Sequence, residues 1–383
     1  MNFSKKKILV ALGTRPEAIK LAPVIHELNR SDLLQPVVVA TAQHRQLLDQ
    51  VLHFFDIKPD YDLNLMKPNQ DLFYTTAECL NRIKALLETL SPSLVIVQGD
   101  TTTAFTVALS AFYLKIPIAH VEAGLRTQNK YSPFPEEMNR RLISPLADLH
   151  FAPTEPSKEN LIRENIDPSF IEVTGNTSID ALHLGATKTC QPPRELKGQS
   201  SDRLILFTLH RRENFGQPLI HILTAVRRFA VDYPDYQIVY PVHPNPNVRE
   251  QALLFFSSLK NVHLLDPVDY SEMLYLIQNS QFILTDSGGI QEEAPTLGKP
   301  VLILRDNTER PEAVESGCAM LVGNDPDLIY QLMISLTQTQ SQLYQSMATA
   351  SNPFGDGTAS VKVRNRIETH LFKHHEEKSL CVE

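Results

Sequence analysis

The sequence predicts an α/β protein built of two successive units, each a parallel β-sheet covered by helices on both faces. The chain has 383 residues, more than the ~250–300 residues at which one hydrophobic core stops growing. Short β-branched apolar runs alternate with longer amphipathic segments, which is the pattern of parallel strands joined by helices. A polar, proline-containing stretch at residues 182–203 interrupts this alternation.

The first unit is predicted at residues 1–180, followed by a linker region at residues 181–203. Its predicted buried strands are Ile8–Leu12, Pro36–Thr41, Leu94–Gln98, Pro117–Val121, Leu149–Ala152 and Ile171–Thr174. Its predicted helices are Pro16–Asn29, Gln43–Phe55, Asp71–Leu90, Thr102–Leu114 and Glu136–Leu146. The strands are continuously apolar, as expected for strands buried on both faces.

The second unit is predicted at residues 204–350, where the same alternation resumes. Its predicted strands are Leu204–Leu209, Gln237–Val242, Val262–Leu265, Phe282–Thr285 and Val301–Leu304. Its predicted helices are Pro218–Val231, Asn247–Leu259, Tyr270–Ile277 and Ile290–Leu297, and the chain from Asp325 onward has a helical pattern.

Composition excludes several classes of function. The formal net charge is −8, whereas nucleic-acid and acidic-lipid surfaces need a basic excess, so neither partner is expected. No stretch approaches the ~20 apolar residues of a membrane span. The lysines before the first apolar run are interpreted as solvent-exposed residues that precede a β-strand. The cysteines lie far apart and form neither a zinc nor a disulfide pattern, which favours a cytoplasmic location. They are Cys79, Cys190, Cys318 and Cys381.

The first predicted strand ends in Gly13, followed by Arg15, Pro16 and then Lys20. Proline suits the start of a helix, and two cations beside a helix N-terminus form a site that can receive an anion. A plain helix start with solvent-facing charges is the equal alternative. The segment lacks the G-x-G-x-x-G pattern of dinucleotide-binding folds, which argues against bound NAD or FAD.

Three carboxylates follow successive strands of the first unit: Asp100, Glu122 and Glu136. Any one of them could be structural, and Asp100 could be a helix cap. Because parallel strands end at the same edge of a sheet, all three can converge on one cavity. Converging carboxylates in a partly dry site have pKa values that move apart, which supplies an acid and a base at neutral pH.

In the second unit, His210 follows a strand and precedes two arginines. It could be a core histidine, but the neighbouring cations favour a phosphate contact. His243 ends the next strand within a proline-rich loop and is compatible with a purely structural role.

A strand also meets two glycines and a hydroxyl before a helix at residues 285–294. Backbone N–H groups at such a helix start can cradle a diphosphate. The residues of this cradle are Ser287, Gly288 and Gly289. Glu293 could accept hydrogen bonds from ribose hydroxyls. The adjacent Glu292 is interpreted as a solvent-exposed side chain without a role in binding. Arg310 is the expected guanidinium ligand of the following loop, whose alternative is a surface loop stabilised by its own ion pairs.

These motifs resemble those of the non-hydrolysing UDP-N-acetylglucosamine 2-epimerases, from Ile8 to about Gly323 and in the same order. The matching segments are GTRPEAIK (13–20), QGDTTT (98–103), HVEAGLRT (120–127), PFPEEMNRR (133–141), GNTSID (175–180), HRRENFG (210–216), PVHPNPNV (241–248), DSGGIQEEAP (286–295) and TERPEAV (308–314). Motifs of this length make the resemblance highly specific.

The resemblance implies two Rossmann-like domains facing across a cleft, a glycosyltransferase-B type of fold, with residues 351–383 returning to the N-terminal domain. It implies an isomerase that interconverts UDP-N-acetylglucosamine and UDP-N-acetylmannosamine for cell-surface polysaccharide precursors. The reaction expels UDP across the C1–C2 bond, forms 2-acetamidoglucal and adds UDP back, with no NAD and no metal. A homodimer is also implied, with UDP-N-acetylglucosamine and UDP as partners.

Carried over by position, the resemblance gives three sets of residues. The acid/base group is Asp100, Glu122 and Glu136, and His210 assists diphosphate departure. The UDP-binding set is Arg15, Lys20, His210, Ser287, Gly288, Gly289, Glu293 and Arg310. A second, activating pocket would include Gln43, His44 and Gln46. Ala42 and Asn69 depart from some members, which weakens the case for activation by substrate.

Three other functions are compatible with these residues, and a fourth is disfavoured by them. A UDP-sugar glycosyltransferase would share the UDP cradle but need an acceptor groove. A hydrolysing 2-epimerase would release UDP and free N-acetylmannosamine, and a related epimerase would act on a diacetamido uronic acid sugar. A catalytically silent nucleotide-sugar sensor would retain the cradle and lose the carboxylates, all three of which are present here.

Overall fold

The computed structural model describes residues 4–41, 45–67, 70–188, 190–197 and 203–380. The chain divides into two compact units. The first comprises Met1–Leu184 together with Phe354–Glu383, and the second comprises Gly185–Pro353. The first unit is therefore discontinuous in sequence, whereas the second is one continuous stretch.

The first unit contains a seven-stranded sheet. Its strands are β1 (Lys6–Leu12), β2 (Leu34–Ala40), β3 (Tyr61–Asp62), β4 (Leu94–Gln98), β5 (Ile118–Val121), β6 (Leu149–Ala152) and β7 (Ile171–Val173). Every neighbouring pair is parallel, in the order β3-β2-β1-β4-β5-β6-β7. The strand order reverses between β1 and β4, and ligands of open α/β sheets bind at the carboxyl ends beside such a reversal.

The second unit contains a six-stranded sheet. Its strands are β8 (Leu204–Thr208), β9 (Gln237–Pro241), β10 (Val262–Leu265), β11 (Ser280–Thr285), β12 (Val301–Ile303) and β13 (Ala319–Leu321). All neighbours are again parallel, in the order β10-β9-β8-β11-β12-β13. Here the order reverses between β8 and β11, so the loops after these two strands are the expected binding positions.

Helices cover the two sheets. In chain order they are α1 (Arg15–Arg30), α2 (Arg45–Phe54), α3 (Leu72–Leu90), α4 (Thr102–Tyr113), α5 (Glu136–Ile143), α6 (Glu155–Arg163), α7 (Thr177–Ala186), α8 (Gln217–Asp232), α9 (Pro246–Phe256), α10 (Tyr270–Asn279), α11 (Gly288–Glu293), α12 (Pro311–Glu315), α13 (Pro326–Thr337), α14 (Gln342–Ala348) and α15 (Ala359–Leu380). Short 3-10 segments occur at Ser144–Leu146, Pro168–Phe170, Arg194–Leu196, Arg212–Asn214 and Ala294–Leu297.

The predicted α/β class with two parallel-sheet units is confirmed. The sequence analysis did not predict β3, β13, α6, α7 or α12. Strand β3 has two residues, both exposed, and α6 buries only Ser157 and Leu161, so neither gives a clear hydrophobic period. Helix α7 lies across residues 181–186, which were assigned to the polar linker.

Strand β1 shows why the central strands are so apolar: Ile8 to Leu12 are all buried, because helices cover both faces of the sheet. On one face, α1 packs against α15. Arg364 of α15 donates to Glu27 at 2.7 Å, and Ser31, the C-cap of α1, donates to Glu368 at 2.6 Å. The last helix is therefore an integral layer of the first unit.

Candidate functional site

The start of α1 is fixed by a buried carboxylate, Glu17, which is 1% exposed. It accepts hydrogen bonds from the backbone N–H groups of Gly13 (3.0 Å) and Thr14 (2.8 Å), and from Oγ1 of Thr101 (2.6 Å). Burial raises the pKa of Glu17. Since Thr101 caps α4, Glu17 joins the starts of the two helices that follow β1 and β4.

Glu122 follows β5 and lies in the left-handed region at φ +62°. Its side chain is 7% exposed. Lys20 of α1 donates to Oε1, Gln98 of β4 donates to Oε2, and Asn176 donates to Oε1 at 3.2 Å. Non-glycine residues rarely adopt this backbone conformation outside functional sites and turns. The result is an oriented carboxylate with a cation and two amides around it.

Lys20 was predicted as a UDP ligand, and the structure places its ammonium on the carboxylate of Glu122. Arg15, from the same predicted set, is the first residue of α1 and is half-buried. The structure thus brings Lys20 to Glu122 of the predicted acid/base group, while the assignment of Lys20 to UDP stays a prediction.

Asp100 follows β4, and Glu122 follows the neighbouring strand β5. Arg140 of α5 forms an ion pair with Oδ2 of Asp100, and Asn139 donates to its backbone oxygen at 2.9 Å. The alternative of a plain helix cap is wrong, because Thr101 caps α4 by accepting from Ala104 N–H at 2.9 Å. The Asp100 carboxylate is therefore held by α5 and is only partly covered, at 25% exposure.

Glu136 is the first residue of α5, one turn before the residues that hold Asp100. Its half-buried side chain makes no hydrogen bond or ion pair within the described residues. The adjacent Glu137 is fully buried and accepts from Thr127 N–H at 3.0 Å and Arg141 Nε at 3.0 Å. Glu137 therefore fixes the helix start, whereas Glu136 takes no part in these structural contacts.

Two buried histidines lie opposite each other on β5 and β6, His120 and His150. Nε2 of His120 donates to the carbonyl oxygen of Gly99 at 2.7 Å, within the turn between Gln98 and Asp100. Burial lowers the pKa of His120 to about 4 and that of His150 to about 3. Neither was singled out from sequence, although His120 begins one of the motifs.

In the second unit, Asp286 follows β11 and is fully buried. It accepts from the backbone N–H groups of His210 (2.9 Å) and Arg211 (2.8 Å), and from Asn214 Nδ2 at 3.1 Å. Burial alone would raise the pKa of Asp286, but hydrogen bonds from His210 and Arg211 hold it below its usual value. The sequence analysis missed Asp286; its position at the end of a strand next to β8 was the available signal.

Nδ1 of His210 lies 2.9 Å from Oδ1 of Asp286. The imidazole is 38% exposed, and its Nε2 has no partner in the part of the chain that the structure describes. Its ring stacks with that of His243 at a centroid distance of 6.3 Å. Burial and the neighbouring His210 lower the pKa of His243. A histidine anchored through Nδ1 presents Nε2 for a ligand.

The glycine-opened helix α11 begins after Ser287, whose N–H donates to Thr285 Oγ1 at 2.9 Å. A Cβ added at Gly288 would lie 2.6 Å from Nη1 of Arg310, so only glycine lets the guanidinium approach this backbone. Arg310 Nε donates to Glu292 at 2.6 Å. The interpretation of Glu292 as a solvated neighbour is wrong: it is 1% exposed because it anchors Arg310.

Beside these residues, Gly289 borders open space, since an added Cβ would meet no atom within 4 Å. Glu293 is 8% exposed at the end of α11. Arg305 donates to Glu309 at 2.7 Å and to Glu213 at 2.5 Å. Burial would raise the pKa of Glu309, but Arg305 lowers it to about 2. The loop at residues 305–310 is therefore stabilised by the ion pairs of Arg305. A separate ion pair, with Glu292, holds Arg310 against the glycine turn.

The predicted second pocket falls largely outside the described residues. This applies to Gln43 and His44, and also to Ala42 and Asn69. Gln46 belongs to α2, and its side chain is likewise not described. Within the described ranges, no cluster of three or more His, Cys, Asp or Glu side chains is arranged to hold a metal ion. Over the same ranges, no helix has the length and apolar character needed to cross a membrane.

Comparison with known proteins gives one consistent family. The sequence model of the UDP-N-acetylglucosamine 2-epimerase family matches residues 26–368. The UDP-N-acetylglucosamine 2-epimerase of Bacillus subtilis is 50% identical over 368 residues, covering 96% of this chain and 96% of that protein. These matches extend through both units and through the returning C-terminal segment.

Solved structures agree. The crystal structure of UDP-GlcNAc 2-epimerase from Neisseria meningitidis bound to UDP-GlcNAc has a TM-score of 0.86 and 47% identity, covering 95% of this chain and 100% of that chain. The Methanocaldococcus jannaschii UDP-GlcNAc 2-epimerase in complex with UDP-GlcNAc and UDP has a TM-score of 0.78 and 35% identity, covering 95% and 99%. The predicted class of two Rossmann-like domains of the glycosyltransferase-B type is confirmed.

Proposed function

Because the chain belongs to the UDP-N-acetylglucosamine 2-epimerase family, we propose that it interconverts UDP-N-acetylglucosamine and UDP-N-acetylmannosamine. The observation that carries this function is the pair of carboxylates after β4 and β5. Asp100 and Glu122 follow neighbouring parallel strands, and each has its own cation, Arg140 and Lys20. Two oriented carboxylates at one sheet edge suit proton transfer at a weakly acidic carbon.

The chemistry is an elimination followed by an addition. A base takes the C2 proton while the C1–O bond to the diphosphate breaks, so the electron pair of C2–H becomes the C1–C2 double bond of 2-acetamidoglucal and UDP leaves. UDP then adds to C1 through its phosphate oxygen, and an acid delivers a proton to the other face of C2. No net oxidation occurs. Coupling proton loss to departure of UDP is what makes removal of so weakly acidic a proton feasible.

We assign the two proton transfers to Asp100, Glu122 and Glu136. Glu122 is the most constrained of the three, since Lys20 and Gln98 fix both of its oxygens. Glu136 begins the helix that holds Asp100. Different surroundings for carboxylates in one site are the general device by which an enzyme obtains both an acid and a base.

We assign UDP binding to the cradle of the second unit, together with His210 and Arg310 of that unit and two cations of the first unit. The proposed set is Arg15, Lys20, His210, Ser287, Gly288, Gly289, Glu293 and Arg310. His210 and Arg310 are both anchored by carboxylates, Asp286 and Glu292. Donors fixed in this way can stabilise the charge that develops on the departing diphosphate, because they need no reorganisation during the reaction. Glu293 is assigned to the ribose hydroxyls.

The enzyme is proposed to act in the cytoplasm as a homodimer. Cys79, Cys190 and Cys318 are free thiols, as is usual for proteins of a reducing compartment. Large apolar side chains are exposed on two helices of the first unit: Leu72 and Phe73 at the start of α3, and Phe112 and Tyr113 at the end of α4. Exposed apolar surface of this kind supports a protein interface, which light scattering of the purified protein would test.

Proton NMR of the purified protein with UDP-N-acetylglucosamine in deuterated water tests the function. We expect UDP-N-acetylmannosamine to appear with deuterium at C2. Accumulation of UDP with free sugar would identify a hydrolysing 2-epimerase instead. An unchanged spectrum would overturn the proposed substrate, and diacetamido uronic acid sugars and glycosyl acceptors would be tested next.

A further inference from the structure

We infer that Asn176 is a positioning residue for Glu122, and that it connects this carboxylate to the chain segment that re-enters the first unit at Phe354. The inference rests on the epimerase function proposed above. Asn176 is 2% exposed, and its Nδ2 donates to Oε1 of Glu122 at 3.2 Å. Its Oδ1 accepts from the backbone N–H of Ser178 at 3.0 Å. A backbone N–H can only donate, so the amide orientation is fixed with its NH₂ toward Glu122.

The backbone of Asn176 is held from the other side by the returning segment. Its N–H donates to the carbonyl oxygen of Phe354 at 2.6 Å. Two glycines make this approach possible: Gly175 at φ +90° and Gly355 at φ +124°. A Cβ at Gly355 would lie 3.1 Å from Cα of Gly175, and one at Gly175 would lie 3.2 Å from Phe354 O. The two backbones are therefore in direct contact, with no room for a side chain between them.

A second attachment fixes the same segment one helical turn further along α7. Asp180 accepts from the backbone N–H groups of Ala359 (3.2 Å) and Ser360 (2.8 Å), and from Ser360 Oγ at 2.5 Å. Residues 354–360 are thus fastened at Asn176 and again at Asp180. Asn176 belongs to the motif at residues 175–180, but its position depends on residues 354–360, which lie outside that motif.

The contact matters for Glu122 because this residue has an uncommon backbone conformation and three donors of different origin. Lys20 comes from α1, Gln98 from β4 and Asn176 from the turn before α7. Oε1 is shared between Lys20 and Asn176. Without the amide, Oε1 is bound by Lys20 alone, so the carboxylate can shift toward Lys20 while Gln98 still holds Oε2. A misplacement of about 1 Å at a reacting group is enough to slow the reaction.

Two substitutions separate positioning from folding. In Asn176→Ala the amide donor is lost, and kcat should fall about 10- to 100-fold, the scale of one hydrogen bond to a charged group. In Asn176→Asp a carboxylate of the same shape faces Glu122. Because two adjacent carboxylates resist being ionised together, the loss should be larger than in Asn176→Ala at about pH 8 and should shrink as the pH falls to about 6. Inhibition by UDP should be unchanged in both variants.

Gly355→Ala tests the connection to the returning segment while leaving the side chains of Glu122 and Asn176 unchanged. The added methyl group should displace residues 354–355 from Asn176, lowering kcat in the same direction while leaving UDP inhibition unaltered. Asn165→Asp, an exposed asparagine of the first unit, is the matched control and should retain the wild-type pH profile of kcat.

The outcomes distinguish this inference from the function. If the wild-type protein does not epimerise the substrate, the proposed function fails. If it does, but Asn176→Ala and Asn176→Asp retain wild-type kcat, Asn176 does not position Glu122. Equal losses in the two variants with the wild-type pH profile would mark Asn176 as purely structural and would also overturn the inference. Partial unfolding cannot imitate the expected result, because the buried neutral His120 and His150 make the first unit less stable as the pH falls. Unfolding would therefore enlarge the loss at low pH, whereas the inference requires the loss to shrink.

Discussion

His210 is bound through Nδ1 to Asp286, with 2.9 Å between the ring nitrogen and Oδ1 of the carboxylate. Asp286 is also bound to the backbone N–H group of His210 itself. One buried carboxylate therefore fixes both the main chain and the ring of the residue that we assign to diphosphate departure. Asp286 therefore sets the direction of the exposed ring nitrogen of His210, Nε2, although Asp286 itself is buried and need not contact a ligand.

We predict that Asp286→Asn lowers kcat at least ~100-fold. The asparagine NH₂ would face donors rather than acceptors, so the substitution should also destabilise the second unit by about 2 kcal/mol. Steady-state kinetics and thermal unfolding would measure the two effects. Asp327→Asn, at a carboxylate that is 84% exposed, is the control and should change neither. A kcat within a factor of about 3 of wild type would show that Asp286 does not orient His210.

Glu122→Gln should leave UDP affinity nearly unchanged while cutting turnover at least ~100-fold, the usual scale for a lost acid or base. Gln retains the shape of the side chain but cannot exchange a proton with C2. Calorimetric titration with UDP and turnover by NMR would be compared on the same preparation. Near-normal turnover would remove Glu122 from the mechanism. Asp100→Asn and Glu136→Gln can be assessed in the same way.

Gly288→Ala should weaken UDP binding about 10-fold, because the new methyl group must displace the Arg310 guanidinium. A double-mutant cycle provides the control. In an Arg310→Ala background the steric conflict is absent, so Gly288→Ala should add less than about a 3-fold further loss. Full additivity of the two substitutions would contradict the proposed contact.

The first unit should lose stability as the pH falls below about 6.5. His120 and His150 have pKa values lowered by burial to about 4 and about 3, from a usual value of 6.5. Between these values the unfolded chain binds more protons than the folded one, so the free energy of unfolding falls with decreasing pH. The expected slope is about 1.4 kcal/mol per pH unit for each histidine.

Calorimetric Tm values at about pH 7 and about pH 5 would measure this dependence. His150→Gln should reduce the slope, whereas His53→Gln, at an exposed position of the same unit, should leave it unchanged. A Tm that is constant over this interval would show that the two imidazoles are not buried in neutral form.

Addition of EDTA or of NAD should leave epimerase activity unaltered. The proposed elimination and addition involve no net redox change, and the assigned proton transfers use carboxylates of the chain itself. Activity would be measured by NMR before and after dialysis against the chelator. Loss of activity that a divalent metal restores, or strict dependence on NAD, would refute the assigned mechanism.

Much of the fold follows from local sequence. Strands β1, β4 and β8 are continuous apolar runs that are buried on both faces, so their pattern alone predicts them. Helix α6 was not predicted, since its sequence EPSKENLIR buries only two side chains and its start depends on the Thr154 cap. A helix covered so little by the rest of the protein leaves a weak hydrophobic period.

The site residues were predicted where a strand end or a glycine pair marks them. Their partners were not, because a local pattern cannot show which distant residues meet. Asn176 reaches Glu122 across 54 positions of sequence, and the Asp286 side chain reaches the N–H of His210 across 76. The interpretation of Glu292 failed for the same reason: its partner Arg310 comes from another loop.

The discontinuity of the first unit has a consequence for biosynthesis. A ribosome completes residues 185–353 as one uninterrupted stretch, so the second unit can fold before synthesis ends. The first unit begins earlier but must wait for residues 354–380, which supply the carbonyl that holds Asn176 and the helix that covers α1. The nascent protein therefore completes the unit to which we assign the UDP cradle before the unit that holds Glu122. Asn176 lacks its backbone partner until Phe354 has been synthesised.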